Sequence, residues 1–173
     1  VIKNKGLKKL ISKNLKKKLS YQDIGFNIGP LINSSGRIAK ANDVVELFLT
    51  QDDERIDAII KKMNSHNETR KKIEQENLNL INFKKYYSKN VVFIYNKEFH
   101  EGTIGIIAAK LSQLFNKPCF IVTESDGLLK CSIRSGNKIK INKTINGLMN
   151  NKLIISGGGH DEAGGFTAKK EYL

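Results

Sequence analysis

Between Thr50 and Tyr87 the chain carries a helical pattern that is apolar along one side at both ends and polar on every side in the middle. Ile56, Ile59, Ile60 and Met63 make an early stripe, Asn64 to Lys72 offers none, and Ile73, Leu80 and Ile81 restore it. A helix of this kind docks at each end on a separate packed body and crosses solvent between them. Thr50 with Asp53 fits a capping box for its start, and the pattern reaches Tyr86 or Tyr87. With 173 residues in all, the chain has room for one compact domain plus appended helices, not for two full-sized domains.

The flanks have different rhythms. Leu7, Leu10, Ile11, Leu15 and Leu19 recur at helical spacing among lysines, which predicts a basic amphipathic helix in need of an apolar surface. Gly29-Pro30 breaks the pattern, Leu31 to Lys40 follows, and Asn42 opens a helix through Val44, Val45, Leu47 and Phe48. From Asn90 the pattern becomes α/β: a buried strand at Val91 to Tyr95, then a helix at Thr103 to Phe115. Cys119 to Val122 and Leu128 to Ile133 flank Asp126-Gly127, the strongest short hairpin signal in the chain. That turn sets Val122 opposite Cys131 and Cys119 opposite Arg134. A helix at Ile141 to Met149 and strands at Leu153 to Ile155 and Gly165 to Ala168 complete the pattern. The fold class is therefore α/β, with a long connecting helix leading into a compact mixed-sheet α/β domain. The segments are 1–40, 41–88 for the connecting helices, and 89–173. The chain opens on Val1 and closes on Leu173 directly behind a strand, so both ends are expected to continue in a longer protein.

Thirty Lys+Arg against 17 Asp+Glu give a net charge of +13, which favours a polyanionic partner, nucleic acid before membrane. A coding bias toward lysine would produce the same excess with no partner at all. Lys3, Lys5, Lys8, Lys9, Lys13, Lys16, Lys17 and Lys18 all precede the first acid, Asp23. No apolar run is long enough to span a bilayer and none resembles a secretory signal, so the expected location is cytoplasmic. Cys119 and Cys131 are too few for a disulfide framework or a cysteine zinc site and read as reduced packing residues.

Ser156-Gly157-Gly158-Gly159-His160 is the most informative stretch, because three glycines expose consecutive N–H groups with no Cβ to hold a ligand away. It fits either an anion nest or a flexible turn followed by a surface histidine. Ser132 and Arg134 share one face of a strand, a polar face suited to bidentate phosphate recognition, with Ser135 a further donor; an ordinary exposed strand fits as well. His100-Glu101-Gly102 leads into a helix whose N-terminus either attracts phosphate or is simply capped. His66 reads as a solvated residue. No His/Asp/Glu group has the spacing of a metal site, so no catalytic residue and no metal or cofactor is expected in this chain.

Five motifs in order carry a family resemblance. Ile28-Gly29-Pro30-Leu31-Ile32-Asn33-Ser34-Ser35-Gly36-Arg37 is similar to the segment that leaves the catalytic domain of RecJ-type single-stranded-DNA exonucleases, members of the Asp-His-His (DHH) phosphoesterase superfamily. Asn64 to Arg70 resembles the signature of their connecting helix. His100-x-Gly-x-x-Gly, Ser132-Ile133-Arg134-Ser135 and Gly157-Gly158-Gly159-His160 resemble the motifs of the accompanying nucleic-acid-binding domain. The resemblance implies that 1–40 is the tail of a catalytic domain that otherwise lies outside this chain and holds two Mn²⁺ or Mg²⁺. It implies 5′ to 3′ digestion of single-stranded DNA in repair and recombination, by a monomer. It also implies phosphate-binding roles for Ser132, Arg134, Ser135, Gly157, Gly158, Gly159 and His160, with Arg37 and His100 near the cleft. An oligonucleotide or cyclic-dinucleotide phosphodiesterase of the same superfamily and a tRNA-binding module like that of alanyl-tRNA synthetases are the alternatives.

Overall fold

The computed structural model describes residues 2–15, 19–39, 41–136 and 138–172. It divides the chain into two compact units, Val1–Lys72 and Ile73–Leu173. Lys16, Lys17, Lys18, Lys40 and Leu173, which enter the expectations above, lie outside the described residues.

The first unit is helical. Its α1 (Lys5–Asn14) is followed by α2 (Tyr21–Asp23), a π-helical stretch at Ile24–Ile28, α3 (Gly29–Ile38) and α4 (Asn42–Leu49). The long α5 (Asp53–Asn79) starts in this unit. The apolar surface that α1 needs comes from α3, α4 and the first turns of α5: Leu10 is fully buried with Leu31, Leu47, Ile56, Ile60 and Met63. α1 and α4 approach so closely that a Cβ on Gly6 would sit 1.9 Å from the Leu47 carbonyl oxygen. Asn4 ties the same crossing together, accepting from Leu7 N and donating to Phe48 O at 2.8 Å. The lysines of α1 are largely spoken for. Lys5 and Lys9 reach Asp53, and Lys9 and Lys13 each lie 2.8 Å from Asp57.

Three expectations need correction here. Gly29-Pro30 is no break, because Pro30 stands in the first turn of α3, where its missing N–H has no helical partner to lose. The start of α5 is capped by Asp52, whose carboxylate accepts from Glu54 N at 2.9 Å, while Thr50 only holds Asp52 N. His66 is half-buried, its Nδ1 3.5 Å from the hydroxyl of fully buried Ser35.

In the second unit, α5 runs out at Asn79 and a 3₁₀ turn at Phe83–Tyr86 follows, so the helix stops short of Tyr86. The sheet is built of β1 (Val92–Tyr95), β2 (Cys119–Ser125), β3 (Leu128–Arg134), β4 (Ser156–Gly159) and β5 (Ala163–Ala168), in spatial order β1-β2-β3-β5-β4. β1 pairs parallel to β2 through the crossover helix α6 (Glu101–Phe115), and the other pairs are antiparallel. Asp126 and Gly127 both take positive φ, giving the two-residue turn, and the expected pairings Val122 with Cys131 and Cys119 with Arg134 are both found. α6 packs with Cys119 and Ile121 on one face. The helix α7 (Ile141–Asn150) packs with Val122, Cys131 and Ile133 on the other. β1 is an edge strand that alternates, with Phe93 half exposed between buried Val92 and Ile94, so it is not buried throughout. Ile154 is buried without strand geometry, and the ladder begins only where Ile155 N donates to Thr167 O.

The middle of α5, Asn64 to Lys72, is expected from the sequence to be polar on every face and bathed in solvent, but Asn67 within it is buried, and beyond it the returning stripe includes buried polar residues as well. Asn67, Glu74 and Asn77 are each at most 6% exposed, on one helical stripe that continues from Met63 to Ile81. Each has a partner, as burial of a polar group demands: Arg70 Nε donates to Asn67, Lys110 pairs with Glu74, and Asn77 Nδ2 donates to Thr103 Oγ1 at 3.1 Å.

Candidate nucleic-acid interface

Alternation along β3 points Ser132 and Arg134 toward α6, while Cys131 and Ile133 enter the core under α7. Gly105 makes room for them, since a Cβ there would lie 3.3 Å from Ser132 Oγ and 3.9 Å from an Arg134 Nη. The guanidinium is set by its neighbours: one Nη donates to Ile133 O at 2.8 Å and lies 3.5 Å from Ser132 Oγ. A fixed, planar guanidinium next to a hydroxyl is a phosphate-recognition pair. Ser135 follows but is only 4% exposed, and its N–H is taken by Glu162 O at 3.0 Å. Its backbone donor is therefore spent on the fold.

The three glycines do not form a nest. Gly157, Gly158 and Gly159 are strand β4, paired with Phe166, Gly165 and Gly164 of β5, and none has positive φ. What sets this strand is crowding against α7: a Cβ on Gly157 would come 2.9 Å from Phe166 Cβ and 3.0 Å from Ile145 Cγ2. A Cβ on Gly159 would come 2.4 Å from Ala163 O. Gly158 points the other way, and a Cβ there would meet nothing within 4 Å. Ser132 pairs with Gly165, and Gly165 with Gly158, so one row on the α6 side of the sheet reads hydroxyl, bare backbone, bare backbone. This is a flat strip without side chains, walled by Ser132 and Arg134.

His160 ends the strip. Its N–H donates to Ala163 O, closing the hairpin, and its Nδ1 accepts from Glu162 N at 3.3 Å. His100 is arranged alike: as N-cap of α6 it accepts from Gly102 N at Nδ1, 3.1 Å away. In each ring the Nδ1 acceptor role leaves Nε2–H as the remaining donor. His100 is in turn held by Thr103, whose hydroxyl donates to His100 O at 2.8 Å and accepts from Asn77. An open cleft of about 490 Å³ brings together Arg134, Ser135 and His160 with Gln113 of the last turn of α6 and Asn116 just beyond it, and carries Glu162 on its wall. Ser132 stands beside it next to Arg134. Gly157 and Gly159 face α7 instead, and Arg37, on α3, belongs to the first unit. Among the described residues no group of three or more His, Cys, Asp or Glu is placed to hold a metal ion.

Sequence reasoning missed Asn77, Gln113 and Asn116. Asn77 lay in a stretch whose partners are some thirty residues away. Gln113 and Asn116 read as ordinary helix-end polar residues.

Comparison with known proteins gives consistent matches. The DHHA1 domain family matches residues 88–173. The single-stranded-DNA-specific exonuclease RecJ of Salmonella typhimurium is 29% identical over 95% of this chain and 31% of its own length. That of Escherichia coli is 28% identical over 89% of this chain and 28% of its own. Thermus thermophilus RecJ, crystallised with Mn²⁺, superposes with a TM-score of 0.79 at 25% identity, covering 96% of this chain and 24% of that one. The chain thus spans less than a third of the length of these relatives.

Proposed function

Residues 88–173 belong to the DHHA1 domain family, and from that premise we propose that the chain is the substrate-gripping part of a RecJ-type 5′ to 3′ single-stranded-DNA exonuclease. Residues 1–40 are then the tail of a catalytic domain, 41–88 the connecting helices and 89–173 the domain that holds the DNA. The parent enzyme acts as a monomer in the cytoplasm, in DNA repair and recombination. Its two divalent ions, for which the Mn²⁺- and Mg²⁺-bound relatives are the support, are bound by residues outside this chain. No helix among the described residues is long and apolar enough to cross a membrane.

The observation that carries this proposal is the bare Gly165–Gly158 strip walled by Ser132 and Arg134. A single strand can lie against such a strip with its phosphate on the guanidinium and the serine hydroxyl. The His160 imidazole, which lines the same cleft as Arg134, adds a further donor beside the strip. The chain's own residues bind and orient; none of them supplies the attacking water.

Titrating the chain with a 5′-phosphorylated single-stranded oligonucleotide over a range of salt tests this. Affinity should fall as salt rises, by about 0.7 in slope of log K per phosphate contact, and Arg134→Ala should remove about one such contact. Salt-independent binding, or tighter binding to folded tRNA than to single-stranded DNA, would overturn it.

A further inference from the structure

Beyond the phosphate strip, the second unit carries a basic, aromatic ridge that no motif above includes. Tyr87 is 63% exposed, yet its ring is held against Phe115 at 5.1 Å between centroids, nearly perpendicular to it. The backbone beneath is fixed as well, because Lys117 Nζ donates to Tyr86 O at 3.2 Å and to Tyr87 O at 2.6 Å. A large, rigid, solvent-facing tyrosine loses little conformational entropy on binding and offers a π-face to any base.

The surrounding charge has one sign. Lys84, Lys85 and Lys89 flank the two tyrosines, and no acid occurs between Asn77 and Glu98. Among the described residues Lys84, Lys89 and Lys138 have no carboxylate partner, whereas Lys5, Lys9 and Lys13 of α1 are paired. The lysines around Tyr87 therefore present positive charge that no carboxylate among the described residues neutralises. The ridge also adjoins the cleft. Asn116, which lines the cleft, directly follows Phe115, and Gly136, which lines it too, packs so tightly on the Lys117 backbone that a Cβ would come within 2.3 Å.

We propose that this ridge is a second nucleic-acid subsite, where a base of single-stranded DNA stacks on Tyr87 while Lys84, Lys85 and Lys89 take the neighbouring phosphates. The inference rests on the single-stranded-DNA reading given above. It places the strand's course from the Arg134 cleft along the end of α6. Stacking on an aromatic is tolerant of sequence, so the subsite adds affinity and length dependence, not base preference.

The test compares wild type, Tyr87→Ala, Tyr87→Phe, Lys84→Glu and Arg134→Ala on two probes: a 5′-phosphorylated thymidine dinucleotide and an oligothymidylate of roughly a dozen residues. Tyr87→Ala should weaken the long probe on the order of tenfold and leave the dinucleotide unchanged, while Tyr87→Phe binds both like wild type. Arg134→Ala should weaken both. Placing single abasic sites along the long probe should reproduce the Tyr87→Ala loss at one position, with no further loss when the two are combined. Because Tyr87→Ala also removes a contact to Phe115, Lys84→Glu is the control on an exposed side chain. It should weaken the long probe alone and lower its salt slope. If neither variant distinguishes the probes while Arg134→Ala weakens both, the ridge is not a subsite and the cleft stands. If wild type binds neither probe at low salt, the ridge and the single-stranded-DNA reading fall together.

Discussion

Gly158 and Gly164 stand one pairing step apart in the same hairpin and should respond to substitution in opposite ways. A Cβ on Gly164 would lie 2.7 Å from Ile145 Cδ1, 2.8 Å from Gly158 O and 2.9 Å from Ile141 Cγ2. Two of these are side-chain tips that can shift, but the third is the backbone of β4, so accommodating a methyl means moving the strand. Overpacking of this kind costs about 1–3 kcal/mol. At about 2–4 °C per kcal/mol for a chain of this size, Gly164→Ala should melt roughly 2–12 °C lower. Gly158 lacks positive φ and faces open space. There Gly158→Ala should gain about 0.4–1 kcal/mol by restricting the unfolded chain, and Gly158→Val should be tolerated because a β-branched residue suits a strand. The same methyls would cover the bare strip beside Ser132 and Arg134. If a phosphate is held there by a charge-assisted hydrogen bond worth about 1.5–3 kcal/mol, losing it weakens binding about ten- to 100-fold. Calorimetric melting and fluorescence anisotropy with a 5′-phosphorylated oligonucleotide read the two effects separately. A Gly158→Val protein that melts as low as Gly164→Ala would show that the strip's facing is misassigned. One that melts and binds like wild type would show that nothing lies on the strip.

Three further outcomes follow from particular contacts. Asn77→Ala leaves buried Thr103 without its donor and should cost about 1–2 kcal/mol, read as a lower melting temperature; an unchanged melt would mean that water replaces the amide. Burial pushes both thiols, Cys119 and Cys131, up to about 12, so alkylation at neutral pH should be slow in the native protein and complete in denaturant; rapid native labelling of either would contradict the packing. Hydrogen bonds from Lys5 and Lys9 lower the Asp53 carboxyl, and those from Lys13 and Lys9 lower Asp57. Because the folded values lie below the ordinary 3.8, these pairs add stability above that pH and lose it as pH falls through the folded values. Acid titration of the helical signal should therefore show the first unit loosening, less steeply in Asp53→Asn/Asp57→Asn.

Where one local signal decides a structure, the sequence was enough. Asp126-Gly127 can make only a short list of turns, and once the turn is set, alternation alone puts Arg134 across from Cys119 and on the polar face with Ser132. The helical periodicity of α1 and α6 was legible for the same reason. What could not be read is what depends on a distant partner. The lysines before Asp23 read as the polar face of a basic helix, and only the packing of α1 along α5 shows that Asp53 and Asp57 neutralise several of them. Asn67, Glu74 and Asn77 have the periodicity of a buried stripe. Polarity hides it until Thr103 and Lys110 are brought opposite two of its members.

The glycine run shows why composition and geometry must be separated. Three successive glycines permit positive φ, which is compatible with an anion nest or with a flexible turn; but a permissive residue adopts whatever its neighbours impose. Here Phe166 and Ile145 leave no space for a Cβ at Gly157, and pairing with Gly164, Gly165, Phe166 and Thr167 draws the segment into an edge strand. The glycines then serve two ends by alternation: Gly157, Gly159 and Gly164 let the hairpin close on α7, while Gly158 and Gly165 leave the opposite face bare. Read as two antiparallel strands joined at His160, the sequence already contains that division, since residues paired across a ladder share a face. The register is the one missing datum, and it cannot be had from glycines, which carry no pattern of their own. The link from sequence to candidate site therefore runs through Ile141, Ile145 and Phe166, core residues whose packing turns an ambiguous loop into a platform.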